Sequence, residues 1–165
     1  MLLEKERAPL ERFREIGLFG GLSDEILETF VAALPVIEVA PGQNVFKEGE
    51  TGRELFVLLE GEVEILRCSK RGHETRVAML GPGDWFGEMS VLDVLPRSAT
   101  TRAVAPSRLL RFTAHDLDAL YRRDLRAYSL LVLNIAREMS RRLRVADGLL
   151  AEVVSNMMDH YAHRR

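Results

Sequence analysis

A chain of 165 residues with 47 % hydrophobic and 29 % charged side chains has the balance of a soluble globular domain with one proper core and an appendage. Its single cysteine, Cys68, excludes an internal disulfide, and no apolar run reaches the length of a bilayer span. Net charge is −2, but unevenly spread: residues 121–165 hold nine arginines against five acidic side chains, so they carry +4 and the remainder −6.

The first residues, Met1-Leu2-Leu3-Glu4-Lys5-Glu6, lack the apolar core of a secretion signal, so cytoplasmic residence without a membrane partner is expected. Residues 1–35 form a helical lead-in. Helix is expected over 10–33, with a break at Gly20-Gly21 and a restart capped by Ser23, whose apolar face carries Ile26, Leu27, Phe30 and Val31. Pro35 ends it.

Residues 36–113 change to short apolar runs cut by Gly, Pro and charged turns. Strands are expected at 36–40, 45–47, 55–59, 63–67, 75–80, 101–104 and 108–112, the pattern of a sandwich or small barrel. Inside it, only 87–92 reads as helix. Cys68 falls at a strand end, where an inert structural thiol is the expectation.

Residues 114–165 return to helix, starting at Thr113 or His115-Asp116 and breaking near Arg123-Asp124. Leu143, Ala146, Leu150, Val153, Met157 and His160 recur three and four apart, and Ile135 and Met139 extend that face upstream. One small barrel cannot cover two apolar sides of a long helix, so a parallel homodimer through this helix is expected. The arginines interleave with the stripe and read as its solvated side. Gly148 is a point where the helix loosens or ends. The fold class is therefore α+β: a jelly-roll-like β-roll with an N-terminal helical segment, one short internal helix and a long C-terminal dimerisation helix.

The residues that carry chemistry lie in 86–100, Phe-Gly-Glu-Met-Ser-Val-Leu-Asp-Val-Leu-Pro-Arg-Ser-Ala-Thr. Gly87 permits close backbone approach, and the amides of Met89 and Ser90 open a short helix that favours anions. Arg97, fixed by Pro96, offers a planar fork to two phosphate oxygens, and Glu88 accepts from a hydroxyl. Taken singly, Arg97 equally closes a local ion pair and Glu88 equally serves the helix dipole. The Ser98 hydroxyl suits a phosphate, a purine edge or a strand-pairing role.

This run resembles the phosphate-binding cassette of cyclic-nucleotide-binding domains, the family of the kinase A regulatory subunit, cyclic-nucleotide-gated channels and the bacterial catabolite activator. Leu18-Phe19-Gly20-Gly21-Leu22-Ser23, Ala40-Pro41-Gly42, Lys47-Glu48-Gly49-Glu50, Glu60-Gly61-Glu62-Val63 and Gly81-Pro82-Gly83-Asp84 extend the likeness over residues 17–145. The resemblance implies that Arg97 contacts the cyclic phosphate and Glu88 the ribose 2′-hydroxyl, and that Ile65 and Val77 pack against the purine. It also implies a base contact from the long helix, where catabolite activators carry Thr-Ser and this chain has Ala146-Asp147. Ionised Asp147 accepts from adenine's amine or from the paired donors of guanine; a solvent-facing acid is the alternative. Arg142 reaches toward Glu88 from the same face.

The expected function is a non-catalytic regulatory module, with no cofactor and no resident metal, that binds cyclic AMP or cyclic GMP and couples this to the C-terminal helix and to a partner protein. The ligand-sensing half of a catabolite-activator-type transcription regulator is the alternative, as is a degenerate domain that binds no cyclic nucleotide. Val154–Arg165 is too short for a helix-turn-helix, so this chain alone is not expected to bind DNA. A cupin-like metalloenzyme is disfavoured because only His73 lies among the strands, and the His160-x-x-His163 spacing reads as a free tail.

Overall fold

A computed structural model describes residues 10–162, so residues 1–9 of the lead-in and the His160 and His163 side chains lie outside what is described. The lead-in is not one broken helix but four short pieces. These are α1 (Leu10–Glu15), a 3-10 turn (Gly17–Phe19), α2 (Asp24–Thr29) and a second 3-10 turn (Val31–Ala33). Ser23 caps α2 through a hydrogen bond from the Ile26 amide. Each piece is too short to be stable by itself and is held by what it packs on.

Eight antiparallel strands follow: β1 (Val36–Val39), β2 (Asn44–Phe46), β3 (Glu54–Glu60), β4 (Val63–Cys68), β5 (Glu74–Leu80), β6 (Trp85–Phe86), β7 (Thr100–Ala103) and β8 (Ser107–Thr113). They form two four-stranded sheets ordered β1-β8-β3-β6 and β2-β7-β4-β5, a jelly roll. The α+β jelly roll expected from sequence is the one observed.

Strand β6 was not expected; two residues are too few for a periodic signal, and pairing with β3 alone defines them. Leu55, Val57 and Leu59 of β3 face the helices, whereas Phe56 and Leu58 face the interior of the roll. Trp85 and Phe86 split the same way. This sheet is thus buried on both faces, which explains why β3 reads as a continuous apolar run.

Between β6 and β7 lies α3 (Met89–Leu92). Thr113 opens α4 (Ala114–Arg123) with a capping box: its hydroxyl accepts from the Asp116 amide, and Asp116 accepts from the Thr113 amide. Asp124 separates α4 from α5 (Leu125–Ala162) and accepts from the Ala127 amide at 2.9 Å. Helix α5 runs unbroken through Gly148, contrary to the expected loosening there. A single glycine costs about 1 kcal/mol, too little to stop a helix already propagated on both sides. Ala127, Leu131 and Ile135 bury its first turns against the lead-in and the roll. Asn134, also buried, donates to the carbonyls of Leu18 and Gly20, tying α5 to the first 3-10 turn.

Candidate functional site

The polar cassette and the open end of the roll enclose a cavity of about 350 Å³, within the range of small-ligand sites. Its walls are mostly apolar, with Phe46, Ile65, Ala78, Leu80 and Phe86 on the strands. Glu88, Ser90, Arg97, Ser98 and Arg142 bring polar groups to one side.

Arg97 turns inward and is 4 % exposed. Its Nη1 lies 2.6 Å from the Glu54 carbonyl, 2.7 Å from the Ser90 hydroxyl and 3.0 Å from the Gly87 carbonyl. The guanidinium stacks 4.0 Å from the centroid of the Phe46 ring. Nη2 meets Glu54 Oε2 only at 3.4 Å, and the buried Nε has no partner among the described residues. One edge of the fork is therefore committed to the protein and the other retains donors.

Gly52 borders that second edge. A β-carbon there would come within 2.7 Å of Nη2 and 2.8 Å of Nε. Gly87 has φ +84°, and a β-carbon there would press 2.8 Å from Nη1. Glycine at both positions lets backbone approach the guanidinium on two sides. Burial pulls the Arg97 pKa below its usual value, while Glu54, Glu50 and Glu88 push it back up. Arginine stays charged under such shifts, so the cavity keeps a positive charge with spare donors.

Glu88, 5 % exposed, caps no amide of its own helix and accepts from Arg142 Nη1 at 3.3 Å. Arg142 also donates to the Trp85 carbonyl at 2.8 Å and to Glu138 at 3.0 Å. One arginine of α5 thus ties the cassette to β6. Burial raises the Glu138 carboxyl, but hydrogen bonds from Arg141 and Arg142 outweigh it, and the net shift is downward.

The Ser90 hydroxyl donates to the Gly87 carbonyl and receives Arg97, a role that sequence reasoning did not assign. Met89 lines the mouth, and its sulfur accepts from Ser98 at 3.6 Å.

Of the residues expected to meet a purine, Ile65 lines the cavity and Val77 does not; Val77 is 56 % exposed. Ile65 pairs with Ala78, so Ala78 and Leu80 share the inner face, and a register shift leaves Val77 without a partner on β4. Alternation of side chains across the sheet turns Val77 outward. Asp147 is exposed on α5 and is not part of the cavity lining. Phe46, Gly52 and Glu54, which hold Arg97, carry no local motif, and only non-local pairing brings them there.

Fold and site together define a ligand-binding jelly roll with an anion-accepting end and apolar walls. Among known proteins, the cyclic nucleotide-binding domain family matches residues 36–124. The Cyclic AMP receptor protein of Thermus thermophilus is 37 % identical over 130 residues, which cover 79 % of this chain and 58 % of that protein. The solved cyclic nucleotide-binding domain of Methylobacillus flagellatus superposes with a TM-score of 0.77 at 25 % identity, covering 87 % of this chain and 81 % of that one. The regulatory domain of Toxoplasma gondii PKA, solved with cAMP, gives 0.61 at 28 %, covering 67 % and 42 %. The chain belongs to the cyclic nucleotide-binding domain family. It spans about three-fifths of the length of the Thermus regulator.

Proposed function

We propose that this chain is a non-catalytic regulatory module of the cytoplasm that binds cyclic AMP or cyclic GMP in the cavity and transmits occupancy through α5. The observation that carries this reading is the buried Arg97 fork, half committed to the protein and half unsatisfied, beside an apolar space of nucleoside size. Arg97 takes the cyclic phosphate through its free edge. The amides of Met89 and Ser90, at the uncapped start of α3, add donors.

Glu88 accepts from the ribose 2′-hydroxyl, and Gly87 lets the sugar approach. Ser98 stands beside the phosphate. Ile65 packs on the purine, and Asp147 reads the base from α5 of a second copy in a parallel dimer. Because Glu88 already holds Arg142, ligand at Glu88 competes with or reinforces the contact that ties α5 to the roll. A ligand acts only through unequal affinity for two arrangements, and this contact is where the two differ. The output is altered docking to a partner protein.

Titration calorimetry with cyclic AMP, cyclic GMP and a cyclic dinucleotide tests the reading. One mononucleotide should bind, and Arg97→Ala should weaken it by about a hundredfold. Unchanged affinity in that variant removes Arg97 from the phosphate site. A second reading, the ligand-sensing part of a transcription regulator, draws on the likeness to the Thermus Cyclic AMP receptor protein. A DNA shift assay with the full-length natural protein separates the two.

A further inference from the structure

Glu54 opens β3, and alternation along that strand sets its side chain on the same face as Phe56, toward the interior of the roll. Backbone and side chain of this residue meet Arg97 differently. The carbonyl accepts from Nη1 at 2.6 Å. The carboxylate reaches Nη2 with one oxygen only, at 3.4 Å, and its other oxygen lies 4.0 Å from Nη1 of Arg111. Pairing of β3 with β8 explains the second contact: Glu54 faces Thr113 and Phe56 faces Arg111, so Glu54 and Arg111 are diagonal neighbours. Neither contact is the short two-pronged pair that an arginine and a carboxylate form when one fixes the other. The Nε atoms of both arginines are buried without a partner among the described residues.

Arg97 is already oriented by neutral groups, the Glu54 and Gly87 carbonyls, the Ser90 hydroxyl and the Phe46 ring. The Glu54 carboxylate is therefore not needed to hold it, yet a negative charge stands beside the unsatisfied edge and off the cavity wall. The charge of Glu88 is met by Arg142 at 3.3 Å. Among the carboxylates that favour the charged form of Arg97, Glu54 acts most strongly, ahead of Glu50 and Glu88. A fixed negative charge opposes an incoming anion in proportion to the charge on that anion. A phosphodiester carries one negative charge, whereas a phosphomonoester carries close to two at neutral pH.

We propose that Glu54 is a specificity-determining residue, whose carboxylate beside the open edge of Arg97 favours singly charged phosphodiesters over phosphomonoesters. In the cyclic-nucleotide reading above, on which this rests, it separates a cyclic nucleotide from the ring-opened 5′-monophosphate. Those two ligands share base and sugar, so the apolar wall and Glu88 meet the same groups in both. Charge at the phosphate is what distinguishes them, and Glu54 is placed to sense it.

The test is calorimetry on the whole chain at neutral pH, as wild type, Glu54→Gln and Glu54→Asp, with three ligands. These are the preferred cyclic nucleotide, its 5′-monophosphate, and the methyl ester of that monophosphate, which is ring-opened but singly charged. Weak ligands are measured by displacement of the cyclic nucleotide. Glutamine should tighten the two singly charged ligands about threefold and the monophosphate about tenfold, because doubling the charge squares the factor. Aspartate keeps the charge and should keep the wild-type ratio between methyl ester and monophosphate. Weaker binding of all three ligands in the glutamine variant would mean that Glu54 only orients Arg97, and overturns the assignment. A monophosphate gain no larger than that of the methyl ester, or aspartate behaving as glutamine does, overturns it too. If the wild type binds no cyclic nucleotide, the cyclic-nucleotide reading falls and takes the role of Glu54 with it. If the wild type binds and glutamine leaves the ratio unmoved, only the role of Glu54 falls.

Discussion

The two halves of α5 are built from similar residues and live in opposite surroundings. In the first half Leu131 and Ile135 are fully buried, Asn134 holds the lead-in, and Arg142 holds Trp85 and Glu88. From Leu143 onward every side chain described on α5 is exposed, among them Leu143 (61 %), Leu150 (63 %) and Met158 (68 %). An apolar stripe of that length is unusual on a surface that meets only water. The contrast teaches that the first half belongs to the domain's own core, whereas the second packs on no core among the described residues. A second copy is the cover we propose, because the stripe continues the three-and-four spacing of Ile135 and Met139.

Removing a side chain from the buried half should produce the largest effect. Ile135→Ala should cost about 3 kcal/mol of unfolding free energy in denaturant titration, through lost burial and a residual cavity. A cost near zero would mean that the first half is not core.

Leu150→Glu probes the other half. It should leave the unfolding free energy of the monomer within about 0.5 kcal/mol of wild type, yet shift sedimentation from dimer to monomer. A dimer that survives the substitution would require some other cover for the stripe.

The smallest effect sits at the junction of the halves. Glu138 has its folded pKa below the ordinary 4.5, so its contribution is complete above that value and is lost as pH falls through the lower folded one. Trp85, the only tryptophan, lies 6.0 Å from the Arg142 guanidinium and reports on this contact. Its fluorescence should change on acidification before global unfolding. In Glu138→Gln that early change should disappear; its persistence would assign the transition to another group.

Much of this architecture was legible beforehand, because it is local. Ser23 and the Thr113–Asp116 pair announce helix starts by the chemistry of their own side chains, and seven of the eight strands follow from apolar runs between turns. The cassette around Glu88 and Arg97 was equally visible, since its members lie within eleven residues. What escaped was whatever depends on a partner distant in sequence. Trp85-Phe86 becomes a strand only by pairing with β3, and Val77 turns outward because of how β5 meets β4.

The amino-acid sequence alone therefore determined the roll, the long helix and the pairing of an acid with an arginine at a glycine turn. Each of these is written in short-range spacing, and short-range spacing survives without coordinates. Only the tertiary structure decided which donors Arg97 keeps free and that Gly52 and Phe46 flank it. Those outcomes are set by strand register and close packing, where a shift of one residue turns a side chain from the cavity to solvent.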